Sequence, residues 1–194
     1  NASDLHVRIK AGQRIIDMHR FVTEQNTLVT DTLEELRTVY DAIDQDLLQA
    51  RKIQQALVPD RQRDFGTSRV SLLLQPCGHV GGDLVGVLNC DQDHVGFYCI
   101  DVSGHGITSA LMTAQVGGYL NNEFPDYNIA MRARADGGFD LRPPHEVAYL
   151  LNQRLARDSG VIEYFPMIYG PADLHSGEVN LVQAGHPHPL LIRA

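Results

Sequence analysis

The sequence predicts an α/β protein: an α+β layered arrangement of antiparallel sheet and helices, preceded by one long helix. Three observations lead there. Residues 3–57 contain no proline, a single glycine (Gly12) and a high density of helix formers. Beyond them, short alternating apolar runs come in pairs around Asp-, Gly- and Ser-rich turns, the spacing of hairpins. Only two further helical patterns occur, and they fall between strand pairs instead of alternating with single strands. That order argues for antiparallel sheet with helices on one face, or a layered sandwich.

The long helix carries a repeat. Ile15, Val22, Val29, Leu36, Ile43, Ala50 and Leu57 stand at strict seven-residue steps, and Met18, Leu33, Val39, Leu47 and Ile53 fill most of a second seam, which Gln25 and Asp46 interrupt. A seam sustained this far predicts a coiled coil and hence a homodimer through the N-terminal helix. The competing reading is a helix packed along its own domain. Val58-Pro59 ends the helix, because proline lacks a donor and pushes the residue before it out of the helical region. The expected domains are therefore residues 1–58, helix and linker, and residues 59–194, a globular domain.

Within 59–194, Asp60 to Ser68 reads as a polar linker and Val70 to Gln75 as a buried strand, followed by a glycine-rich turn from Pro76 to Asp83. Leu84 to Asn89 and Val95 to Asp101 read as two strands of a hairpin around Asp91-Gln92-Asp93. Ile107, Ala110, Leu111 and Ala114 mark a helix running to about Asn122. Glu123 to Pro144 reads as an irregular excursion; Arg132 and Arg134 in it are either solvated charges or contacts to a phosphorylated partner. Pro144-His145-Glu146 opens the last helix with proline in its first turn, and Val147, Leu150, Leu151 and Leu155 face inward. Strands at Phe165 to Leu174 and Glu178 to Gln183 flank His175-Ser176-Gly177, and the apolar run Leu190 to Ile192 follows Ala184-Gly185-His186-Pro187-His188-Pro189.

Composition narrows the function classes. A 43% hydrophobic, 21% charged chain of 194 residues is globular in character, and its net charge of −8 disfavours a nucleic-acid surface. No helix-turn-helix pattern supports a DNA-binding output. No apolar run reaches the length of a membrane span, and Asn1-Ala2-Ser3-Asp4 lacks the pattern of a signal peptide. Three cysteines, Cys77, Cys90 and Cys99, without a CxxC pair, suit ordinary core thiols in a reducing cytoplasm.

The chemistry concentrates at two aspartates. Asp83 closes Val80-Gly81-Gly82-Asp83, and Asp101 opens Asp101-Val102-Ser103-Gly104-His105-Gly106 at a strand end. Each is adjacent to glycines or a turn, which fits either a backbone-capping aspartate or one half of an oxygen site for a hard divalent cation. Ser103 and His105 suggest a nucleophilic pair, but two residues apart on a turn their side chains do not naturally meet, and no G-x-S-x-G elbow exists. His186 and His188 fit either metal ligation or a hydrogen bond to backbone.

Four stretches occur in order: Leu47-Leu48-Gln49-Ala50-Arg51-Lys52-Ile53-Gln54-Gln55-Ala56-Leu57-Val58-Pro59, then Val80 to Asp83, then Asp101 to Met112, then Ala184 to Leu191. Together they resemble the bacterial RsbU/SpoIIE type of protein phosphatase 2C-like (PPM) serine/threonine phosphatase. The resemblance implies the layered PPM fold and a pair of manganese or magnesium ions held by Asp83 and Asp101, with the Val102 carbonyl helping to bind one ion. It implies hydrolysis of phosphoserine or phosphothreonine on a protein, typically a phosphorylated anti-sigma-factor antagonist of the STAS fold. Asp4 to Ile15 further resembles the closing helix of a response-regulator receiver domain, which would make the chain a two-component output.

Two departures weaken the match. Where family members read GGDYYD or similar, this chain has Gly82-Asp83-Leu84-Val85-Gly86, so the aromatic pair is lost and Gly86 replaces an acid, a change expected at the rim of the site. The family's remaining metal-binding aspartates lie beyond the Ala184-Gly185-His186 turn, and the sequence stops at Ala194. This piece by itself is thus expected to be inactive or impaired. The rival expectation is a catalytically degenerate module that binds a signalling partner without turnover.

Overall fold

The computed structural model describes residues 2–58, 61–76, 78–104, 106–158 and 164–192. Its contacts divide into two compact units, Asn1–Asp46 and Leu47–Ala194.

Helix α1 spans Ala2–Ala56. The long helix is present as the sequence predicts. Its threonines do not break it: Thr23, Thr27, Thr30, Thr32 and Thr38 each donate their hydroxyl to the carbonyl four residues back. The last turn tightens, with the amides of Leu57 and Val58 donating to the carbonyls of Gln54 and Gln55. Pro59 lies outside the described residues. No described helix is long and apolar enough to cross a membrane.

The second unit is built on a four-stranded antiparallel sheet. Strands β3 (Asp83–Asn89) and β4 (His94–Asp101) form the expected hairpin, and β7 (Met167–Asp173) and β8 (Val182–Ala184) extend it in the order β3-β4-β7-β8. Period-2 alternation separates two faces. Leu84 and Leu88 of β3, Tyr98 and Ile100 of β4, and Met167 and Tyr169 of β7 enter one buried cluster. Helices α2 (Ile107–Tyr119) and α3 (Pro144–Asp158) cover that face, placing Met112, Val116, Val147, Leu151 and Leu155 in the same cluster. The result is the predicted mixed α/β layering, with helices on one face of antiparallel sheet.

Four expectations are corrected. The polar linker is a hairpin, β1 (Gln62–Asp64) against β2 (Arg69–Ser71). Asp64 and Arg69 close it with an ion pair at 2.8 Å, and Gly66 takes the tip at φ +83. Polarity therefore marked exposure, not absence of structure. The buried strand expected over Val70 to Gln75 stops at Ser71, and Leu73 is 82% exposed; an apolar run this short does not by itself say where pairing ends.

The excursion after α2 is also structured. Asn128, buried, donates its Nδ2 to the Asn121 carbonyl and accepts from the Ala130 amide. A small hairpin follows, β5 (Met131–Ala133) with β6 (Phe139–Leu141). Arg134 ties its tip to Asp136 at 3.0 Å and Asp140 at 3.3 Å, so its guanidinium is engaged within the loop. Arg132 is exposed. Finally, the strand expected over Glu178 to Gln183 is interrupted. Val179 bridges Ala172 and the Asn180 amide donates to the Pro171 carbonyl at 3.2 Å, but regular pairing resumes only at Val182, because Pro171 has no amide to return that bond.

Candidate functional site

The hairpin register decides the geometry of the site. Asp83, first in β3, stands opposite Asp101, last in β4. Residues directly opposed in an antiparallel pair project from the same face. Both aspartates are on the face away from the helices, as are Val85 and its partner Cys99. The two carboxyl groups are close enough to act on each other electrostatically. Partial burial, then the charge and hydrogen bond of Asp101, push the Asp83 carboxyl above the usual carboxylate range, while His186 pulls it down.

Two loops hold the carboxylates, and each is anchored from behind. In the first, Gly82 accepts the Val102 amide at 3.0 Å and the buried Thr113 hydroxyl of α2 at 2.8 Å on its carbonyl. A Cβ on Gly82 would fall 2.3 Å from the Val102 carbonyl oxygen, so only glycine lets the two loops approach this closely. Gly81 is gripped at both backbone groups by the Gln54 side chain of α1: its amide donates to Oε1 at 3.0 Å and its carbonyl accepts from Nε2. Gln54 is itself buried.

The second loop leaves β4 at Asp101, whose amide donates to the Pro166 carbonyl at 2.9 Å. Ser103 donates its amide to the Tyr164 carbonyl and accepts the Tyr164 amide on its hydroxyl. Gly104 and Gly106, at φ +93 and +89, turn the chain into α2. Ser103 is thus a bracing residue, and His105 lies outside the described residues. Val102 is 1% exposed, and its amide is the donor to the Gly82 carbonyl.

Gly86 corrects an expectation. It sits on the core face, opposite in direction to Asp83, and a Cβ there would lie 2.3 Å from the Tyr98 ring and hydroxyl. The loss of an acid at this position is accommodated by Tyr98 and does not reach the aspartate face. His186 approaches the site from the turn after β8. Its Nε2 is 3.3 Å from Cys99 Sγ and its Nδ1 3.2 Å from the Pro187 carbonyl oxygen. His188 is exposed.

Gln54, Thr113, Tyr164 and the Cys99–His186 contact are not singled out by the sequence. Only Cys99 carried a readable signal, since it precedes Asp101 by two positions on an alternating strand. Among the described residues no group of three or more His, Cys, Asp or Glu side chains is arranged to hold a metal ion.

Comparison with known proteins agrees with this architecture. The family described as Stage II sporulation protein E (SpoIIE) matches residues 91–194. The chain is 28% identical over 111 residues to the protein named phosphoserine phosphatase RsbP of Bacillus subtilis (strain 168), covering 57% of this chain and 25% of that protein. Its fold is similar to the SiaA-PP2C domain of Pseudomonas aeruginosa, with a TM-score of 0.60 at 20% identity, over 75% of this chain and 55% of that one. The chain thus spans about a quarter of the first relative's length and about half of the second's. With the family match extending over more than half of its residues, the chain belongs to the SpoIIE family of RsbU/SpoIIE-type, PP2C-like phosphatases.

Proposed function

We propose that this chain is part of a metal-dependent serine/threonine phosphatase that dephosphorylates a phosphoserine regulatory protein in bacterial signalling. The observation that carries the reading is the placement of Asp83 directly across from Asp101 at the open end of one hairpin. Two carboxylates this close repel, which adds to partial burial in pushing the Asp83 carboxyl up. A hard divalent cation relieves that repulsion, and an all-oxygen donor set suits manganese or magnesium.

Asp83 and Asp101 would hold the ions, two in the complete domain, with the Val102 carbonyl oxygen as a further donor. Bound there, such ions supply Lewis acidity toward a phosphoryl group. The chain's own part is positional. The paired strands fix the separation of the carboxylates, Thr113 and Val102 fix the Gly82 carbonyl, and the Tyr164 bracing fixes the turn after Asp101. The family and the name of the Bacillus relative support a phosphoprotein substrate, for which a phosphorylated STAS-type anti-sigma-factor antagonist is the specific proposal. No nucleic acid or membrane is required.

The N-terminal helix is proposed to pair with a second copy as a coiled coil and to follow a receiver domain. The last turns of α1 touch the aspartate loop through Gln54, which gives the linker a physical contact with the site it would regulate.

A second reading, partner binding without turnover, draws on the absence of a three-ligand cluster among the described residues. An activity assay separates the two. The full-length parent is expected to hydrolyse p-nitrophenyl phosphate and a phosphoserine protein with manganese. Several kcal/mol of metal-derived stabilisation correspond to a loss of roughly 10²-fold or more in Asp101→Asn. Equal turnover by this variant, or none by the parent under any divalent cation, would favour the binding module.

A further inference from the structure

Three glycines leave a space beside the core. Gly86 of β3 and Gly117 and Gly118 of α2 line a cavity of about 380 Å³, which the last residues of α1 and the turn after it (Ala56 to Val58), Leu72 and Leu120 close on other sides. That volume lies toward the small end of those that hold organic ligands. A Cβ at Gly118 would meet nothing within 4 Å, and one at Gly117 only methyl groups at 3.6 Å or more. The helix therefore leaves room that larger residues could have filled.

One buried polar group at this cavity has nothing to bond. Tyr98 lines it and is 7% exposed. The tip of its ring lies against Gly86, where a Cβ would stand 2.3 Å from the hydroxyl. Its cross-strand neighbour Tyr169, also buried, donates its hydroxyl to the Arg142 carbonyl at 3.1 Å. The Tyr98 hydroxyl has no such acceptor among the described residues. Buried tyrosine hydroxyls ordinarily find a partner. Burial also pushes this phenol up to about 12, so it stays a neutral O–H donor.

The rest of the lining disfavours an ion. Its charged side chains are one of each sign, Arg63 and Glu123, so no net charge offsets the desolvation of a buried ion. Asn122 accepts the Asn89 amide and donates to the Val87 carbonyl, and the Asn121 side-chain oxygen accepts the Glu123 amide. These polar groups are engaged with backbone, and most of the remaining wall is aliphatic.

We propose that this cavity binds a small uncharged organic molecule, a compact apolar body bearing a carbonyl oxygen that accepts a hydrogen bond from the Tyr98 hydroxyl. The body replaces water against Leu57, Leu72 and Leu120, and the carbonyl supplies the acceptor that the chain lacks. Gly86 and Tyr98 are on the core side of their strands, away from the aspartate face. The site stands independently of the phosphatase reading.

The test is a titration of this chain with para-fluoroacetophenone, followed by fluorine NMR, with para-fluorotoluene as the analogue that lacks the oxygen. The ketone is expected to bind saturably at one molecule per chain. Tyr98→Phe should weaken it about three- to tenfold, the worth of one hydrogen bond, and leave the affinity of the toluene unchanged. This variant should also melt no lower than the parent, since it deletes a hydroxyl without a partner. Ala114→Leu combined with Gly118→Leu places two side chains four apart on one face of α2, both at the cavity. That plugged variant should bind neither probe while keeping the parent's circular dichroism. No saturable binding of the ketone by the parent, equal ketone affinity in Tyr98→Phe, or undiminished binding by the plugged variant overturns the site. So does a Tyr98→Phe variant that melts well below the parent, because the hydroxyl would then already have a partner such as a bound water.

Discussion

Gly82 is the residue on which the site's geometry turns. Its missing Cβ is what lets the Val102 carbonyl reach the loop that presents Asp83, and its carbonyl is the acceptor shared by Val102 and Thr113. Gly82→Ala would place a methyl group 2.3 Å from a backbone oxygen, and backbone cannot yield as a flexible side chain can. Overpacking of this kind costs about 1–3 kcal/mol, so the variant is expected to melt lower and to lose manganese affinity as Asp83 moves away from Asp101. A variant with the parent's melting temperature and manganese affinity would show that this approach is not structural. Gly86→Ala gives a contrasting case: its Cβ meets Tyr98 on the core face, so it should lower stability by a comparable amount while leaving the register of the two aspartates in place.

At the scale of elements, the end of α1 and the aspartate loop behave as one piece because Gln54 replaces a backbone pairing partner for Gly81. Removing that amide in Gln54→Ala strands a buried N–H and a buried carbonyl, worth roughly 1–3 kcal/mol. Denaturant unfolding should report this loss, and Gln54→Glu should recover only the half of the clamp that accepts the Gly81 amide. An unchanged midpoint in both variants would mean that the contact is not formed in solution. The elements differ in how plainly they were written in the sequence. The long helix and the β3–β4 hairpin were legible, because each has a strong period, 7 in one and 2 in the other, bounded by proline or Asp-rich turns. The pairing of Asp83 with Asp101 was legible only as adjacency to glycines; its register came from the length of the hairpin loop. The β1–β2 hairpin, the Met131–Leu141 hairpin and the break before β8 were not, because ion pairs, a buried Asn128 and the missing amide of Pro171 create them. Those are polar side-chain contacts and a single missing donor, which an apolar period does not encode. The Cys99–His186 contact joins residues far apart in the chain, and nothing near either one announces the other.

For the whole molecule, the unit Asn1–Asp46 exposes an apolar seam that a single chain leaves in water. Val29 and Leu36 are 55% and 48% exposed, and burying such a side chain contributes about 1.5–3 kcal/mol. Pairing with a second copy, as proposed, would offset this exposure. Light scattering is expected to give a dimer for the chain and a monomer for Val29→Asp combined with Leu36→Asp, with the sheet's near-ultraviolet signal unaltered. A monomeric parent would remove the coiled coil from the account. The central claim is that Asp83 and Asp101 jointly hold hard divalent cations, and crystals of the full-length protein grown with manganese test it most directly. Anomalous density is predicted between the two carboxylates, with the Val102 carbonyl oxygen beside it, and lost in Asp83→Asn. Density elsewhere, or carboxylates turned apart with none between them, would contradict it.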